Sequence, residues 1–345
     1  MKLCLITNYV NKGYIEETLI LNQLIDTLKL SPKDIIEFKD ENQVHNVNQN
    51  YTHSIVLINS EITSYQFIKN FLSELLIPKI FVIDTIPEVE KLFNTEFVER
   101  YSIEKDFVFS TLKPNEWDEL YYYADAFVFY NNIDLNEFSK YYKTHQKISY
   151  IIPPSLGNKE EIILKSENII KNKNIGYNGT PSYSKGIFNL RASNEFTQKC
   201  NISIYGSQGK NPLKNEQLVN YLTQNYDSIN FKGKLKKYKE FYLNTFLYFD
   251  CSLYNSFNYF MYLSLINGVI PIISKNTSSS EYLPNYPFTT EYGDLNSINN
   301  IINKIYNTPV IHLKDILETT IVSLSSLNHE SNKNLYVKLI QNHLS

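Results

Sequence analysis

Short apolar runs and longer amphipathic stretches alternate along the whole chain. Lys2–Thr7 (KLCLIT) has the length of a strand, and the polar loop after it, Asn8–Gly13, ends in glycine. From Ile15 to Leu30 the apolar residues Leu21, Leu24, Ile25 and Leu28 recur at helical spacing. Ile35–Phe38 and Ser54–Asn59 read as strands and Tyr65–Ile77 as a helix. Lys79–Ile83 (KIFVI) reads as a strand running straight into Asp84-Thr85-Ile86-Pro87. Phe107–Ser110 is a further strand, followed by a helix at Glu116–Tyr123, a strand at Ala126–Tyr130 and a helix at Leu135–Tyr142. Lys147–Ile152 is a last strand, closed by Pro153-Pro154.

The same alternation resumes after that break. Glu160–Lys171 has the pattern of a polar-faced helix. Asn174–Tyr177 is a strand that opens into Asn178-Gly179-Thr180-Pro181-Ser182-Tyr183-Ser184-Lys185-Gly186, and IFNLRASNEF continues as a helix. Asn201–Tyr205 is a strand that turns at Gly206. From Ile229 the order is a strand ending at Gly233, a helix, the strand LYFDCSL, the turn YNS, the helix FNYFMYLSLIN, Gly268 and the strand VIPIIS. Strands and helices in strict alternation, punctuated by glycine, describe parallel α/β sheets. The Pro-Pro pair marks a boundary near residues 153–158. The expected organisation is an α/β domain over 1–155, a second over 156–325, and a helix at 326–345 that packs back on the first.

Composition narrows the class. The 345 residues carry a net charge of −3 with a pI of about 6.1, so no global basic field draws in nucleic acid. Cys4, Cys200 and Cys251 lie far apart, with neither zinc spacing nor a disulfide framework. The first residues lack signal-peptide anatomy, and no apolar run approaches the ~18 residues of a membrane span. A soluble, cytoplasmic protein in a reduced compartment is the expectation.

Ligands of parallel sheets bind beyond the carboxyl ends of the strands, which selects the candidate residues. In the second half these lie around Gly233, Tyr254–Phe257 and Ser274–Glu281. Residues 178–186 combine two glycines, small hydroxyl residues and Lys185 ahead of a helix start. This pattern suits backbone binding of phosphate with an added point charge, or else a surface turn. Five lysines, Lys232, Lys234, Lys236, Lys237 and Lys239, form the densest basic run; they are a solvated face or a contact for phosphates. In the first half, Asp84 is the first polar side chain delivered by a buried strand. It is placed either as a base at a cleft or as a turn cap ahead of Pro87. Glu16, Glu17 and Thr18 open a helix, where a carboxylate also suits the helix dipole.

The order of parts resembles a GT-B glycosyltransferase, two Rossmann-like domains facing across a cleft. Ser252, Phe257, Gly268 and Pro271 resemble the frame of the retaining group that includes glycogen and sucrose synthases. Asn255 and Leu263 stand where that group carries its paired glutamates. Leu263 cannot make the charge-assisted ribose contact, typically worth about 1.5–3 kcal/mol. Collinear strings across the chain also resemble the phage DNA β-glucosyltransferases. They are the opening strand Met1–Asn8, Glu17-Thr18, Lys79–Pro87, Ile133–Lys140, Ile148–Pro153, Tyr177–Thr180 and Phe231–Leu235. That family has arginines in the loop after its Gly-Gly turn; here Ser182 and Lys185 stand there.

The resemblance implies transfer of a hexose from a UDP-sugar, UDP-glucose in the first instance, to a hydroxymethylated pyrimidine in DNA with inversion. Asp84 would be the base, and Glu17 would orient sugar or acceptor. Gly179, Thr180, Ser182, Lys185, Gly186, Gly206, Gly233, Lys234, Leu235, Tyr254, Asn255, Ser256, Phe257 and Glu281 would hold the nucleotide sugar. Leu235 would offer its backbone to uracil, and Lys236 and Lys237 would meet duplex DNA. A divalent ion, Mg or Mn, could assist the leaving group, but no motif requires one. A monomer is expected. The rival expectations are an envelope polysaccharide or lipid acceptor, and a GT-B protein that binds sugar or nucleotide without catalysis.

Overall fold

The computed structural model describes residues 2–8, 15–38, 43–58, 65–84, 86, 114–142, 146–165, 174–179, 181, 185–193, 200–206, 212–252, 255–275 and 277–344. These residues divide into two compact units, one made of 2–159 with 327–344 and one of 160–326.

The first unit is built on β1 (Leu3–Thr7), β2 (Ile35–Glu37), β3 (His53–Leu57), β4 (Lys79–Ile83), β5 (Ala126–Phe129) and β6 (Ile148–Ile151). They form one sheet in the order β2-β1-β3-β4-β5-β6, and every pair is parallel. β3, β4 and β5 occupy the middle, and from Ile80 to Ile83 no β4 residue is exposed. Continuous apolar runs such as AFVF and KIFVI are what strands covered on both faces require. An aromatic cluster of Trp117, Tyr121, Phe127, Phe138 and Tyr142 fills one side. Trp117 stacks on Tyr121 at 5.5 Å, and Phe138 meets Tyr142 at 4.6 Å. The helix His329–His343 packs on the helix Ile15–Leu28. Thr27 Oγ1 and His329 Nδ1 lie 2.9 Å apart, and the Asn332 amide donates to the Pro153 carbonyl at 2.6 Å.

The second unit carries β7 (Asn174–Asn178), β8 (Asn201–Tyr205), β9 (Ile229–Gly233), β10 (Leu247–Asp250), β11 (Ile270–Ser274) and β12 (Thr289–Thr290). Its order is β12-β11-β10-β7-β8-β9, again all parallel. The strand order reverses between β7 and β10, the point of a doubly wound sheet where ligands bind. Pro271 sits inside β11, where a missing N–H normally breaks a ladder. It is tolerated because β12 begins pairing only at Ile273, and the Tyr286 hydroxyl donates to the Pro271 carbonyl at 2.8 Å.

The local structure departs from the sequence pattern in three places. Residues 159–161 form a single 3-10 turn and 162–165 are irregular, so the helix expected from Glu160 does not start there. Ile187–Ser193 is a 3-10 segment instead of an α-helix. Gln43–Asn50 is a helix with only Val44 and Val47 buried, too few apolar positions to announce it. The strand expected at Phe107–Ser110 lies outside the described residues.

Candidate functional site

The carboxyl ends of β7, β8 and β9 are tied to one another by their glycines. The Gly179 N–H donates to the Tyr205 carbonyl at 3.0 Å, and the Gly206 N–H donates to the Gly233 carbonyl at 3.0 Å. Gly206 has to be glycine, since a Cβ there would lie 1.9 Å from the Gly179 carbonyl oxygen. Three turns distant in sequence thus form one backbone-lined edge beside the point where the strand order reverses.

Next to it the loop carrying Lys185 closes over the end of β10. Gly186 has φ +74°, and a Cβ on it would sit 2.0 Å from the Cys251 carbonyl oxygen, so the two backbones touch. The Asn189 amide also reaches that carbonyl, at 3.3 Å. Under this cover lies Asp250, only 3% exposed. Its Oδ1 accepts from Ser252 Oγ at 3.0 Å, whereas Oδ2 is buried without a hydrogen-bond partner. Burial raises the Asp250 pKa above the ordinary aspartate range. Asn258, Ser252 and the positive charge of Lys185 pull the other way.

Asn258 ends the turn after β10. Its side chain caps the helix Tyr259–Ile266 by accepting from the Met261 N–H at 2.9 Å, and its amide lies 3.2 Å from the Tyr248 hydroxyl. Tyr248 in turn reaches the Asn178 carbonyl at 3.4 Å, which links β10 to the end of β7.

The other expected nucleotide residues fall into two sets. Lys234 is exposed, and Leu235 has a buried side chain; no described residue hydrogen-bonds to the Leu235 backbone. Asn255 is half-buried, and its carbonyl accepts from the Ser278 N–H at 3.2 Å. Glu281 is half-buried in the short helix Ser278–Tyr282. Ser256 and Phe257 are buried, and Phe257 stacks on Tyr262 at 4.8 Å. All five lysines of the basic run, Lys236 and Lys237 included, are exposed. Thr180, Ser182 and Tyr254 lie outside the described residues.

In the first unit Asp84 follows β4 and is half-buried. Tyr130, at the end of the adjacent β5, is fully buried. That burial raises its phenol far above the ordinary range, and the Asp84, Tyr336 and Asp134 charges add to it. Asn131 and Asp134 are buried beside it. Asn131 accepts from the Asp134 N–H at 2.8 Å and donates to its carboxylate at 2.6 Å. Glu17 lies in the helix Ile15–Leu28, and its side chain is outside the described set. Among the described residues no cluster of three or more His, Cys, Asp or Glu could hold a metal ion, and no helix is long and apolar enough to cross a membrane. All three cysteines are free and buried, and burial pushes the Cys4 thiol up to about 12.

No protein-family model matches the chain, and no curated protein matches it. Solved structures do, over nearly its full length. The sucrose-phosphate synthase of Thermosynechococcus elongatus matches with a TM-score of 0.72 at 12% identity, covering 99% of each chain. The fold is GT-B. Anabaena Alr3699/HepE in complex with UDP-glucose matches with a TM-score of 0.70 at 11% identity, covering 99% of this chain and 100% of that one. A UDP-forming α,α-trehalose-phosphate synthase from Burkholderia xenovorans, in complex with glucose-6-phosphate, gives 0.67 at 10% identity over 99% and 100%.

Asp250, Asn258 and Tyr248 are the site residues that the sequence pattern did not single out. The signal for Asp250 was present, because it is the first polar side chain of an apolar strand, as Asp84 is.

Proposed function

We propose that this protein is a glycosyltransferase that moves a hexose from a UDP-sugar to an acceptor hydroxyl. The observation that carries the proposal is the backbone edge formed by Gly179, Gly206 and Gly233 beside the reversal of strand order, with Lys185 held next to it. Lys185, beside that edge, is suited to the charge that develops on a departing diphosphate. The Leu235 backbone is suited to the edge of a uracil. The UDP and UDP-glucose complexes of the GT-B neighbour HepE support a sugar nucleotide as donor.

Asp84 takes the acceptor proton in this reading, a step that typically contributes ~10²–10⁴ in rate, and Glu17 orients the sugar or acceptor. Inversion at the sugar carbon follows if Asp84 acts directly on the attacking hydroxyl. The collinear strings and the exposed run Lys232–Lys239 favour a hydroxymethylated pyrimidine in duplex DNA as acceptor. The trehalose-phosphate synthase complex favours a second reading, in which a sugar phosphate accepts.

The test is turnover of UDP-glucose with hydroxymethylated duplex DNA, sugar phosphates and lipid-linked glycans offered in parallel. UDP release with one of them establishes both reaction and acceptor. Absence of UDP binding by calorimetry would overturn the proposal. Neutralising Lys236 and Lys237 should flatten the salt dependence of DNA binding, because fewer counterions are released. An unchanged slope would remove DNA from the reading.

A further inference from the structure

The Asp250 carboxylate has one oxygen committed and one uncommitted. Oδ1 is held by Ser252 Oγ at 3.0 Å, and Oδ2 is buried without a hydrogen-bond partner. What lies across from it is set by backbone packing. Gly186 rests on the Cys251 carbonyl so closely that no Cβ fits between them. Lys185 precedes Gly186, and Asp250 precedes Cys251, so this one contact brings the two charged residues together at the end of β10. Lys185 is also the only cationic residue between Asn178 and Gly186.

We propose that Asp250 is a positioning residue that holds the Lys185 ammonium over the end of β10, where the donor diphosphate would lie. The proposal rests on the reading of the second unit as the nucleotide-sugar site, and it adds a carboxylate that never touches substrate. A lysine is a point charge on a flexible stem, so an ammonium free to wander loses much of its worth to a ligand. Placing it before the ligand arrives removes that cost. A carboxylate under the loop performs this placement because Asp250 is buried, so its pull on the half-buried ammonium is less screened by salt than that of an exposed pair. With a single cation in the loop, its placement governs donor affinity.

The test is a double-mutant cycle on UDP affinity, measured by calorimetry on the full chain, with Lys185→Met and Asp250→Asn. The asparagine keeps the shape and the acceptor for Ser252 but removes the charge. Asp250→Asn should weaken UDP about tenfold, and it should change affinity by less than about twofold in the Lys185→Met background, because residues acting through one another are not additive. In turnover the same variant should raise KM for the UDP-sugar far more than it lowers kcat. Equal losses in both backgrounds, or unaltered UDP binding in Asp250→Asn, would overturn the proposal. If Lys185→Met alone leaves UDP affinity unchanged, the underlying site assignment fails instead. Should Asp250→Asn not fold, Ser252→Ala frees Oδ1 with a smaller perturbation. It should weaken UDP about threefold with Lys185 present and not at all without it; equal effects would again overturn the proposal.

Discussion

Two strands, one in each unit, end in the same way, but the aspartates they deliver differ in burial. β4 delivers Asp84 after four buried apolar residues, and β10 delivers Asp250 after three. Each lies at the carboxyl end of a parallel sheet between two neighbouring strands. Asp84 is half-buried and close enough to Tyr130 for its charge to be felt there. Asp250 is sealed under the Gly186 loop with one oxygen unpartnered. The strand is therefore only half of the signal. The two carboxylates differ in burial although the strands that deliver them read alike in sequence.

The largest effect should come from forcing that cover open. Gly186→Ala would place a methyl group 2.0 Å from the Cys251 carbonyl oxygen at a φ of +74°. Overpacking against backbone, added to a left-handed conformation, should cost on the order of 3–4 kcal/mol and abolish UDP binding. Gly233→Ala is the control: its φ is +72°, but nothing lies within 4 Å of its Cβ position. It should cost about 1 kcal/mol. Urea unfolding of both variants checks the contrast, and equal losses would mean that the loop does not rest on β10.

Next in size is the chemistry proposed for the half-buried Asp84. Asp84→Asn should lower kcat by at least ~10², about 2.7 kcal/mol in barrier, with UDP affinity little changed. Near-wild-type turnover would reduce Asp84 to a turn residue and end the inverting mechanism.

The comparison also shows which parts of the molecule could be read locally. The parallel α/β class was legible because runs such as KIFVI and VIPIIS have strand length and no polar interruption. Asp84 stood out by the same logic. Strand order could not be read, since nothing local in Asn174–Asn178 says that β8 and β10 flank it. The burial of Asp250 depends on Gly186 meeting Cys251, a contact between segments far apart in sequence. Glu160–Glu161 close a 3-10 turn and 162–165 are irregular, where a helix was expected to begin, and Gln43–Asn50 was not legible because it buries only two valines.

A further pair tests whether the turns after β5 and β10 are equivalent. Asn131 and Asn258 each cap the helix that follows, and both are buried. Asn131 also donates to the buried Asp134 carboxylate at 2.6 Å, whereas the Asn258 amide reaches the Tyr248 hydroxyl and also favours the charged form of the buried Asp250. Losing a cap costs about 1 kcal/mol, and stranding a buried charge adds to it. Asn131→Ala should therefore cost about 2 kcal/mol or more, and Asn258→Ala somewhat less, about 1–2 kcal/mol. The reverse order in urea unfolding would contradict this account.

The smallest effect is the most specific to Asp250. Burial raises its pKa in the folded protein, so the folded state holds this proton more tightly than the unfolded chain does. The stability it contributes is complete below the ordinary aspartate range and is lost as pH rises through the folded-state value. Asparagine has no proton to lose there. Asp250→Asn should consequently be close to wild type in stability at acid pH and more stable by about 1 kcal/mol at pH 8, since a neutral amide is cheaper to bury than a carboxylate with an unpartnered oxygen. The nearby Lys185 charge offsets part of that cost, so the gain should grow in the Lys185→Met background. Melting temperatures of the four proteins between pH 4 and pH 8 measure the difference. A gap that does not widen with pH would mean that Asp250 is ionised at little cost.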